Sequence, residues 1–458
     1  MGGLNTSLLI GVQALDANQG ALDATSNNIA NVNTPGYTRE VAQFTENGEN
    51  QSGDDVSGGG VTLTGLQSIR DKLLNIQIQQ QTSLQNSANT QSSSLQQVQT
   101  FFTTSGDDIA SGLTALSSSL AQLSASPGSA SAQQSVLSSG QNLADAFNTT
   151  AQGLSAAQLD ADQQVPQTVT QINSLTEQIA QLNTQLGQVP ASNDGGTTQD
   201  QLDQLVQQLS GLTGISITQT NDGETITTAG GTPLVMGGQS FNLQTTTGTN
   251  GFQQVLDSNG NNITSSIQGG TLGGAIDIRD HVIPGFQSQL NTLASQFGTA
   301  FNAAQAKGYD STGNAGGDFF SIPSNANDAA AGMSVAITSP SQVAISSDGS
   351  GGSNGNVANL SAVLTNTLPS GQTPADAYAS LVFQVGNATS NASTQSTAIG
   401  QNLTQLTTQQ GAVSAVDINE ETTNLMRFQA AYEAASRIVS TVQVLDNAAL
   451  NMGSSTSF

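Results

Sequence analysis

An apolar heptad near the start of the chain stops at a run of turn-forming residues. Large side chains recur every seven residues on one helical face. They are Leu8, Leu15, Leu22 and Ile29, with Val12 beside them. Asn31 and Asn33 end the helix, and Pro35-Gly36 supplies a turn, because Pro presets φ and Gly accepts a positive φ. A helix of this length buries nothing by itself, so the pattern requires a partner.

The end of the chain carries an answering pattern. Two sets of residues repeat every seven positions, namely Leu425, Tyr432 and Val439, and Phe428, Ala435 and Val442. Asp417 is placed to cap the helix, and Glu433 precedes Arg437 by four residues, the order that favours an ion pair. We therefore predict that the two terminal helices pair as a coiled coil. We also expect their apolar residues to form a seam that packs between subunits.

The charge balance narrows the classes of partner. The 32 acidic and 7 basic residues give a formal net charge of −25, which repels phosphate backbones and anionic lipid. No cysteine is present, which excludes disulfides and thiolate metal sites. The apolar stretch Leu8-Leu9-Ile10 is too short for a secretory signal or a membrane span. We therefore expect no nucleic-acid partner, no membrane contact and no cofactor.

The period of the apolar residues predicts a mainly α protein with β insertions (α+β) around a body of long helices. Helices are expected at 66–102, at 103–164 with a turn at Pro127-Gly128, and at 167–189, 200–209, 283–306, 374–411 and 417–452. A hairpin is expected within 37–65, and one or two strands near 333–346. The β region 212–280 is expected to hold strands at 215–217, 225–227, 234–235, 241–243 and 275–278, with a turn at Asn221-Asp222-Gly223.

Candidate catalytic and metal-binding residues are few. The single histidine, His281, precedes Pro284 at an expected strand-to-helix junction, which favours a turn or capping role. Gly351 to Gly355 matches the G-x-S-x-G nucleophile elbow by letters, but no strand precedes it and no histidine follows it. Asp310, Asn314 and Asp318 are spaced four apart, unlike a calcium loop, and favour a tight turn. We predict no catalytic residue and no metal site.

Residues 27–39 closely resemble the signature of bacterial flagellar axial proteins, the superfamily of rod, hook and hook-associated protein 1. Residues 416–432 resemble the matching C-terminal signature. Arg427-Phe428-Gln429, and the stretch from Lys307 to Phe320, look like the hook-associated protein 1 version. The residues that carry these motifs are Asn28, Asn31, Asn33, Thr34, Gly36, Tyr37, Arg39, Arg427, Gln429, Gly308, Asp310, Phe319 and Phe320.

The resemblance implies a domain organisation. Residues 1–36 and 417–458 would form paired terminal helices in an inner tube. Residues 37–211 and 281–416 would form a helical bundle body with short β-hairpins, and 212–280 an inserted β subdomain. Only Ser321 to Ser334 separate Phe320 from the next expected strand, so the large outer domain of longer members is expected to be absent.

The resemblance also implies a structural role and no enzymatic activity. The protein would form the junction between hook and filament, outside the cell at the distal end of the hook. It would leave through the flagellar type III export system. The implied partners are further copies of the chain, hook protein, a second junction protein or flagellin, and an export chaperone. A rod or hook subunit of the same superfamily is the nearest alternative, and a secreted acidic adhesin or enzyme is an alternative of another class.

Overall fold

The structure is a computed structural model that describes residues 2–48, 50–52, 55–102, 108–189, 195–220, 223–350 and 353–454. Within these ranges the α-helices are α1 (Gly2–Ala30), α2 (Lys72–Thr100), α3 (Ile109–Ala125), α4 (Ala130–Leu186), α5 (Gly196–Leu212), α6 (Gly270–Asp277), α7 (Ile283–Gln305), α8 (Val357–Thr365), α9 (Pro374–Ser414) and α10 (Ile418–Ser454). A π-helical segment, Ile278–Val282, joins α6 to α7. The mainly α class with β insertions is thus confirmed.

The strands are short and pair antiparallel. They are β1 (Glu40–Glu46), β2 (Asn50–Ser52), β3 (Asp55–Ser57), β4 (Val61–Ser68), β5 (Ile215–Thr220), β6 (Gly223–Thr228), β7 (Pro233–Met236), β8 (Gln239–Ser240), β9 (Gln244–Thr247), β10 (Gln253–Leu256), β11 (Phe320–Ser321) and β12 (Ser334–Val335). The largest sheet has the order β5-β6-β7-β8, and the others are two-stranded. Short 3₁₀ turns cover Thr264–Ser266, Ala326–Asp328 and Pro340–Gln342.

The chain divides into two compact units. Unit 1 comprises Met1–Thr82, Gln171–Leu243 and Gly400–Phe458. In it, α1 packs against α10 and against the hairpin formed by β1 and β4. Leu202, Val206 and Leu209 of α5 are buried in the same unit.

Unit 2 comprises Ser83–Thr170 and Gln244–Ile399. A continuous apolar core draws on α3, α4, α7, α8 and α9. The helix expected at 283–306 is confirmed as α7, whose large residues are buried. They are Phe286, Leu290, Leu293, Phe297 and Phe301.

Two expectations about helix boundaries were wrong. The helix expected after the turn at Pro127-Gly128, within 103–164, and the helix expected at 167–189 form the single helix α4, which contains Pro166. Proline removes one backbone hydrogen bond, but Val165 and Val169 are both buried beside it, so burial keeps the helix continuous. The strand expected at 275–278 belongs to helix instead. Leu272 to Ile276 and Ile278 are all buried, and a short apolar run that is buried throughout does not separate helix from strand.

Residues 241–243 do not form the expected strand either. The side-chain amide of Asn173 accepts a hydrogen bond from Leu243 N (2.8 Å) and donates one to Leu243 O (2.8 Å). The side chain therefore takes the place of a neighbouring strand at this residue. The hairpins at 40–68 and 215–228 are confirmed. Asn221 and Asp222, at the tip of the second hairpin, lie outside the described residues.

Candidate assembly interface

The terminal helices α1 and α10 run antiparallel and approach closely. Gly11 faces Val439, and a methyl group built on Gly11 would lie 2.8 Å from Val439 Cγ2, closer than carbon atoms pack. Toward the other end of α1, Asn28 faces Glu421. The buried residues of α1 are small or polar, namely Gly11, Ala17, Ala21, Ala24, Thr25 and Asn28. Small side chains therefore set the distance between the two backbones.

The predicted seam residues divide between buried and exposed positions. On α10, Ala435 and Val442 are buried and Leu425, Phe428 and Val439 are partly buried, whereas Tyr432 is 36% exposed. On α1, Leu8, Leu15, Leu22 and Ile29 are partly buried, and Val12 is 48% exposed. The C-terminal row is thus the better buried of the two within one subunit. Packing of these residues between subunits stays a prediction.

Large apolar side chains remain exposed on both terminal helices. Val444 is 67% exposed and Leu450 is 58% exposed. The full set is Leu9 and Val12 on α1, with Ile418, Met426, Tyr432, Ile438, Val444, Leu445 and Leu450 on α10. Nine exposed large apolar side chains on one helix pair favour an interaction surface, because exposed apolar surface marks interaction sites in soluble proteins.

Asn28 ties the end of α1 to the first strand and to α10. Its Oδ1 accepts hydrogen bonds from Tyr37 Oη and from Glu40 N, both at 2.9 Å. Its Nδ2 donates to Glu40 O at 2.8 Å and to Glu421 Oε2 at 3.1 Å. The side chain is fully buried. Burial also raises the pKa of Tyr37, and the nearby charge of Glu40 adds to the effect.

Arg39 supplies the ionic part of the same joint. Its Nη1 lies 2.8 Å from Glu420 Oε1 and 3.9 Å from Glu421 Oε1. Its backbone N–H donates to Ser414 O at 3.0 Å. The chain segments that leave α1 and enter α10 are therefore bound together, and we call this group of contacts the terminal joint.

The turn after α1 is built as the sequence predicts. Asn31 Nδ2 donates to Asn27 O, and Thr34 Oγ1 bonds to Asn31 Oδ1 at 3.1 Å. Gly36 has a φ of +77°, which favours glycine, and a side chain there would also collide with Gln204. Asn33 is exposed and makes no side-chain hydrogen bond in the described part of the chain.

A buried ion pair beneath this turn escaped the sequence reasoning. Arg70 Nη2 lies 2.7 Å from Asp200 Oδ1, and Asp200 Oδ2 accepts a hydrogen bond from Thr38 N at 2.9 Å. Arg70 Nη2 also donates to Gly196 O at 2.8 Å. The only signal in the sequence was the scarcity of cations. Because the chain has only seven Lys and Arg residues, each of them is a candidate for a specific ion pair.

Burial also acts on two carboxyl groups of unit 1. Burial raises the pKa of Asp203, against the lowering effect of its hydrogen bond to Gln199 and of Arg70. Burial raises the pKa of Glu224 to about 7, and the negative charge of Asp203 adds to the shift. Both groups line a groove of about 360 Å³ beside α2.

The internal motif forms a turn in unit 2. The Asp310 carboxylate accepts hydrogen bonds from Thr312 N (2.8 Å) and Asn314 N (2.9 Å), so the expected tight turn is confirmed. Gly308 packs against Asn356, whose buried amide leaves no room for a side chain there. The Asn356 Nδ2 donates to Ala304 O and Ala344 O and so holds the turn against α7.

Phe319 and Phe320 anchor the motif in the core of unit 2. Their rings lie 4.9 Å and 5.4 Å from the ring of Phe301, and both side chains are fully buried. Asn302 Oδ1 accepts hydrogen bonds from both backbone N–H groups, and its Nδ2 donates to Phe320 O at 2.7 Å. The double phenylalanine is therefore a packing element.

Arg279 is a second cation that the sequence reasoning missed. It is 2% exposed, with Nη1 at 2.7 Å from Asp162 Oδ1 and Nε at 2.7 Å from Asp280 Oδ1. Nη1 also donates to Gln253 O at 2.6 Å. In contrast, Arg427 and Gln429 of the C-terminal motif are exposed, and Arg427 stacks on Phe428 at 4.8 Å.

The remaining candidates offer no catalytic arrangement. His281 lies in the π-helical segment and its side chain is 75% exposed, so the expected strand-to-helix junction was wrong. Gly351 and Gly352 of the G-x-S-x-G match lie outside the described residues. Across the described ranges, no three His, Asp or Glu side chains converge as metal ligands would. In the same ranges, no helix combines the length and the apolar character needed to cross a bilayer.

Comparison with known proteins agrees with this architecture. The family described as "Flagellar hook-associated protein FlgK helical domain" matches residues 95–320. The families "Flagella basal body rod protein" and "Flagellar basal body rod FlgEFG protein C-terminal" match residues 8–38 and 409–452. A solved structure, the flagellar hook junction protein FlgK from Burkholderia pseudomallei, shares the fold with a TM-score of 0.67 and 20% identity, over 74% of this chain and 100% of that one.

Curated relatives match over nearly the whole length. Flagellar hook-associated protein 1 of Salmonella typhimurium is 26% identical over 96% of this chain and 98% of its own. The protein of that name from Bacillus subtilis is 28% identical over 98% and 99%. The chain is therefore a structural protein of the bacterial flagellum and not an enzyme. It belongs to the flagellar hook-associated protein 1 family, which includes FlgK.

Proposed function

We propose that this chain forms the junction between hook and filament at the distal end of the hook. Copies of the chain would assemble in a ring or helix, with hook protein on one side and a second junction protein or flagellin on the other. The observation that carries the proposal is the exposed apolar surface of α1 and α10. Apolar surface left on paired terminal helices suits packing against neighbouring subunits.

The terminal helices would supply the inner tube. Residues 1–36 and 417–458 would form it, 37–211 and 281–416 the helical body, and 212–280 the β subdomain, without a large outer domain. Burying one large apolar side chain contributes about 1.5–3 kcal/mol of stabilisation. Burial of the exposed large apolar side chains of α1 and α10 between subunits would therefore contribute on the order of 10 kcal/mol, before the entropy cost of ordering is subtracted. The terminal joint would fix the direction in which this helix pair leaves the body.

Export would precede assembly. We propose that the chain leaves the cell unfolded through the flagellar type III system, which suits the absence of cysteine. An export chaperone would cover the exposed apolar residues of α10 until assembly buries them. In a binding assay, chaperone affinity that survived truncation after Val416 would contradict this part of the proposal.

Deletion of residues 417–458 tests the proposed role. Cells that carry the truncated chain should build hooks that cannot retain filament, and flagellin should accumulate in the medium. Electron microscopy of hooks and immunoblots of the medium measure both effects. Normal filaments on such cells would rule out the junction role.

A point variant separates assembly from folding. Val444→Asp places a charge on an exposed position of α10, so the helix content by circular dichroism should match the unaltered chain while filament retention falls. Leu159→Asp is the matched control, because Leu159 is 52% exposed but lies on α4 in unit 2. Filament retention should then be normal.

A further inference from the structure

One face of α1 contacts neither α10 nor the β-hairpin. Gly11 and Asn28 lie on the face toward α10, and Gly20 packs on Leu63 of β4. The third face follows the spacing 3-4-3-4-3, and all its residues are exposed. They are Leu9, Val12, Asp16, Gln19, Asp23 and Ser26. We call this set the acidic stripe, because its only charged residues are Asp16 and Asp23.

The exposed cations of α10 complement that stripe. Elsewhere in the described chain, Arg39, Arg70 and Arg279 each lie within 4 Å of a carboxylate. Arg427 and Arg437 are exposed and form no such ion pair within the described residues, so the ion pair expected between Glu433 and Arg437 is not formed. Met426 and Val444, also exposed on α10, add apolar surface comparable to Leu9 and Val12.

We propose that the acidic stripe of one copy binds α10 of a second copy, with Asp23 pairing to Arg427 and Asp16 to Arg437. This inference rests on the proposed function, since it names the contact by which neighbouring copies would join. We take a second copy as the partner because the same chain supplies both complementary surfaces. The acidic and apolar residues lie on α1, and the arginines with their apolar neighbours lie on α10. Partly desolvated pairs of opposite charge fix the register of such an interface.

The register of the intramolecular helix pair supports this pairing. Gly11 faces Val439 and Asn28 faces Glu421, so the two helices are antiparallel. A residue further along α1 therefore lies opposite an earlier residue of α10. Copies at the same axial level would repeat that register. Asp23 then lies opposite Arg427, and Asp16 lies within one helical turn of Arg437, an offset of about 4.5 Å along the axis that the flexible arginine side chain can span.

Disulfide cross-linking between two chains that carry a cysteine at different positions tests the contact directly. The natural chain has no cysteine, so every disulfide must come from the introduced residues. Cells would co-express an Asp23→Cys chain and an Arg427→Cys chain, and isolated flagella would be oxidised and run on a non-reducing gel. We expect a covalent dimer only when both variants are present, at least about tenfold above the control pair, since a disulfide forms only when the two backbones come close.

The control replaces one partner with an exposed position of unit 2. An Ala115→Cys chain on α3 should give no dimer with the Asp23→Cys chain. Flagella that keep their filaments but yield no dimer from the Asp23 and Arg427 pair would overturn the proposal. If cells without this chain keep normal filaments, the proposed junction role fails whatever the gel shows.

Charge reversal gives a second readout that does not depend on cysteine. Arg427→Glu with Arg437→Glu should lower the fraction of cells with filaments about tenfold, because like charges then face each other. Adding Asp16→Arg and Asp23→Arg should restore that fraction to within about twofold of the unaltered chain. Glu177→Arg, on an exposed position of α4, should have little effect. Loss without rescue would indicate a different partner and overturn the proposal.

Discussion

The core of unit 2 and the terminal helix pair of unit 1 bury opposite kinds of residue. In unit 2, large side chains such as Phe297, Phe301 and Phe320 lie inside the fold with ring centroids 5.4–5.9 Å apart. In the terminal pair, α1 buries glycine, alanine and polar residues, and many large apolar side chains of both helices remain exposed. Unit 2 therefore buries most of its large apolar side chains within one chain, whereas the terminal pair leaves many of its own exposed to other molecules.

The difference separates a part of the chain that is stabilised by its own core from a part whose apolar surface is available for contacts with other subunits. A core of large rings gains most of its free energy inside the subunit. The pair of α1 and α10 is joined through small residues and the polar terminal joint. These contacts mainly fix the relative orientation of the two helices, because hydrogen bonds and ion pairs add little net stability.

Phe301→Ala tests the large-residue core and should have the largest effect. The variant removes a ring that contacts Phe297, Phe319 and Phe320, so the free energy of unfolding should fall by about 3–5 kcal/mol in urea. Phe383→Ala is the control, because Phe383 is exposed on α9, and its change should stay within about 0.5 kcal/mol. Equal losses in the two variants would break the comparison.

Asn28→Ala tests the polar joint and should cost less. It leaves Glu40 N, Glu40 O and the hydroxyl of Tyr37 without their partner, which lowers the free energy of unfolding by about 2 kcal/mol. Hydrogen exchange should rise in residues 20–45 and 415–430 and stay unchanged in α7. The exposed neighbour variant Asn27→Ala should change neither measurement. Uniform loss of protection across both units would contradict a local role for the joint.

Glu224 offers the smallest and most specific test, through pH. Its pKa is about 7 in the folded chain against 4.5 as the ordinary value, so the folded state binds its proton more tightly. The free energy of unfolding should therefore fall as pH rises from about 4.5 to about 7 and level off above that, by on the order of 1 kcal/mol after solvent screening in the groove.

The Glu224→Gln variant removes that dependence. Denaturant titrations across the same pH range should show the unaltered chain losing stability relative to Glu224→Gln, with the gap constant above pH 7. Glu433→Gln, at an exposed position on α10, should run parallel to the unaltered chain. Parallel curves for Glu224→Gln as well would show that the Glu224 carboxyl is not desolvated.

Periodicity predicted the long elements because their apolar residues repeat over many turns. α1, α7 and α10, and the hairpins at 40–68 and 215–228, all follow from such repeats. The same reasoning placed the turn at Gly36, where the positive φ of +77° requires glycine or a close substitute.

Elements that depend on distant partners could not be read from the sequence. α8 was not predicted, since it is short and its buried residues Val357 and Leu360 find their partners in α3 and α7. The burial of Arg279 and Arg70 depends on Asp162 and Asp200, each more than a hundred positions away along the chain. The pairing of α1 through small residues also escaped prediction, because alanines carry little periodic signal.

The terminal joint has a mechanical consequence. The helix pair is connected to the rest of unit 1 by two chain segments, one leaving α1 and one entering α10. Arg39 lies in the first segment and binds the second through Ser414 O and Glu420. A torque applied along α1 is therefore shared with the segment that enters α10 and does not load one peptide segment alone. A twisting helix pair would have to break the ion pair and the Asn28 hydrogen bonds together before either crossing could swivel, which gives the joint torsional stiffness without a covalent cross-link.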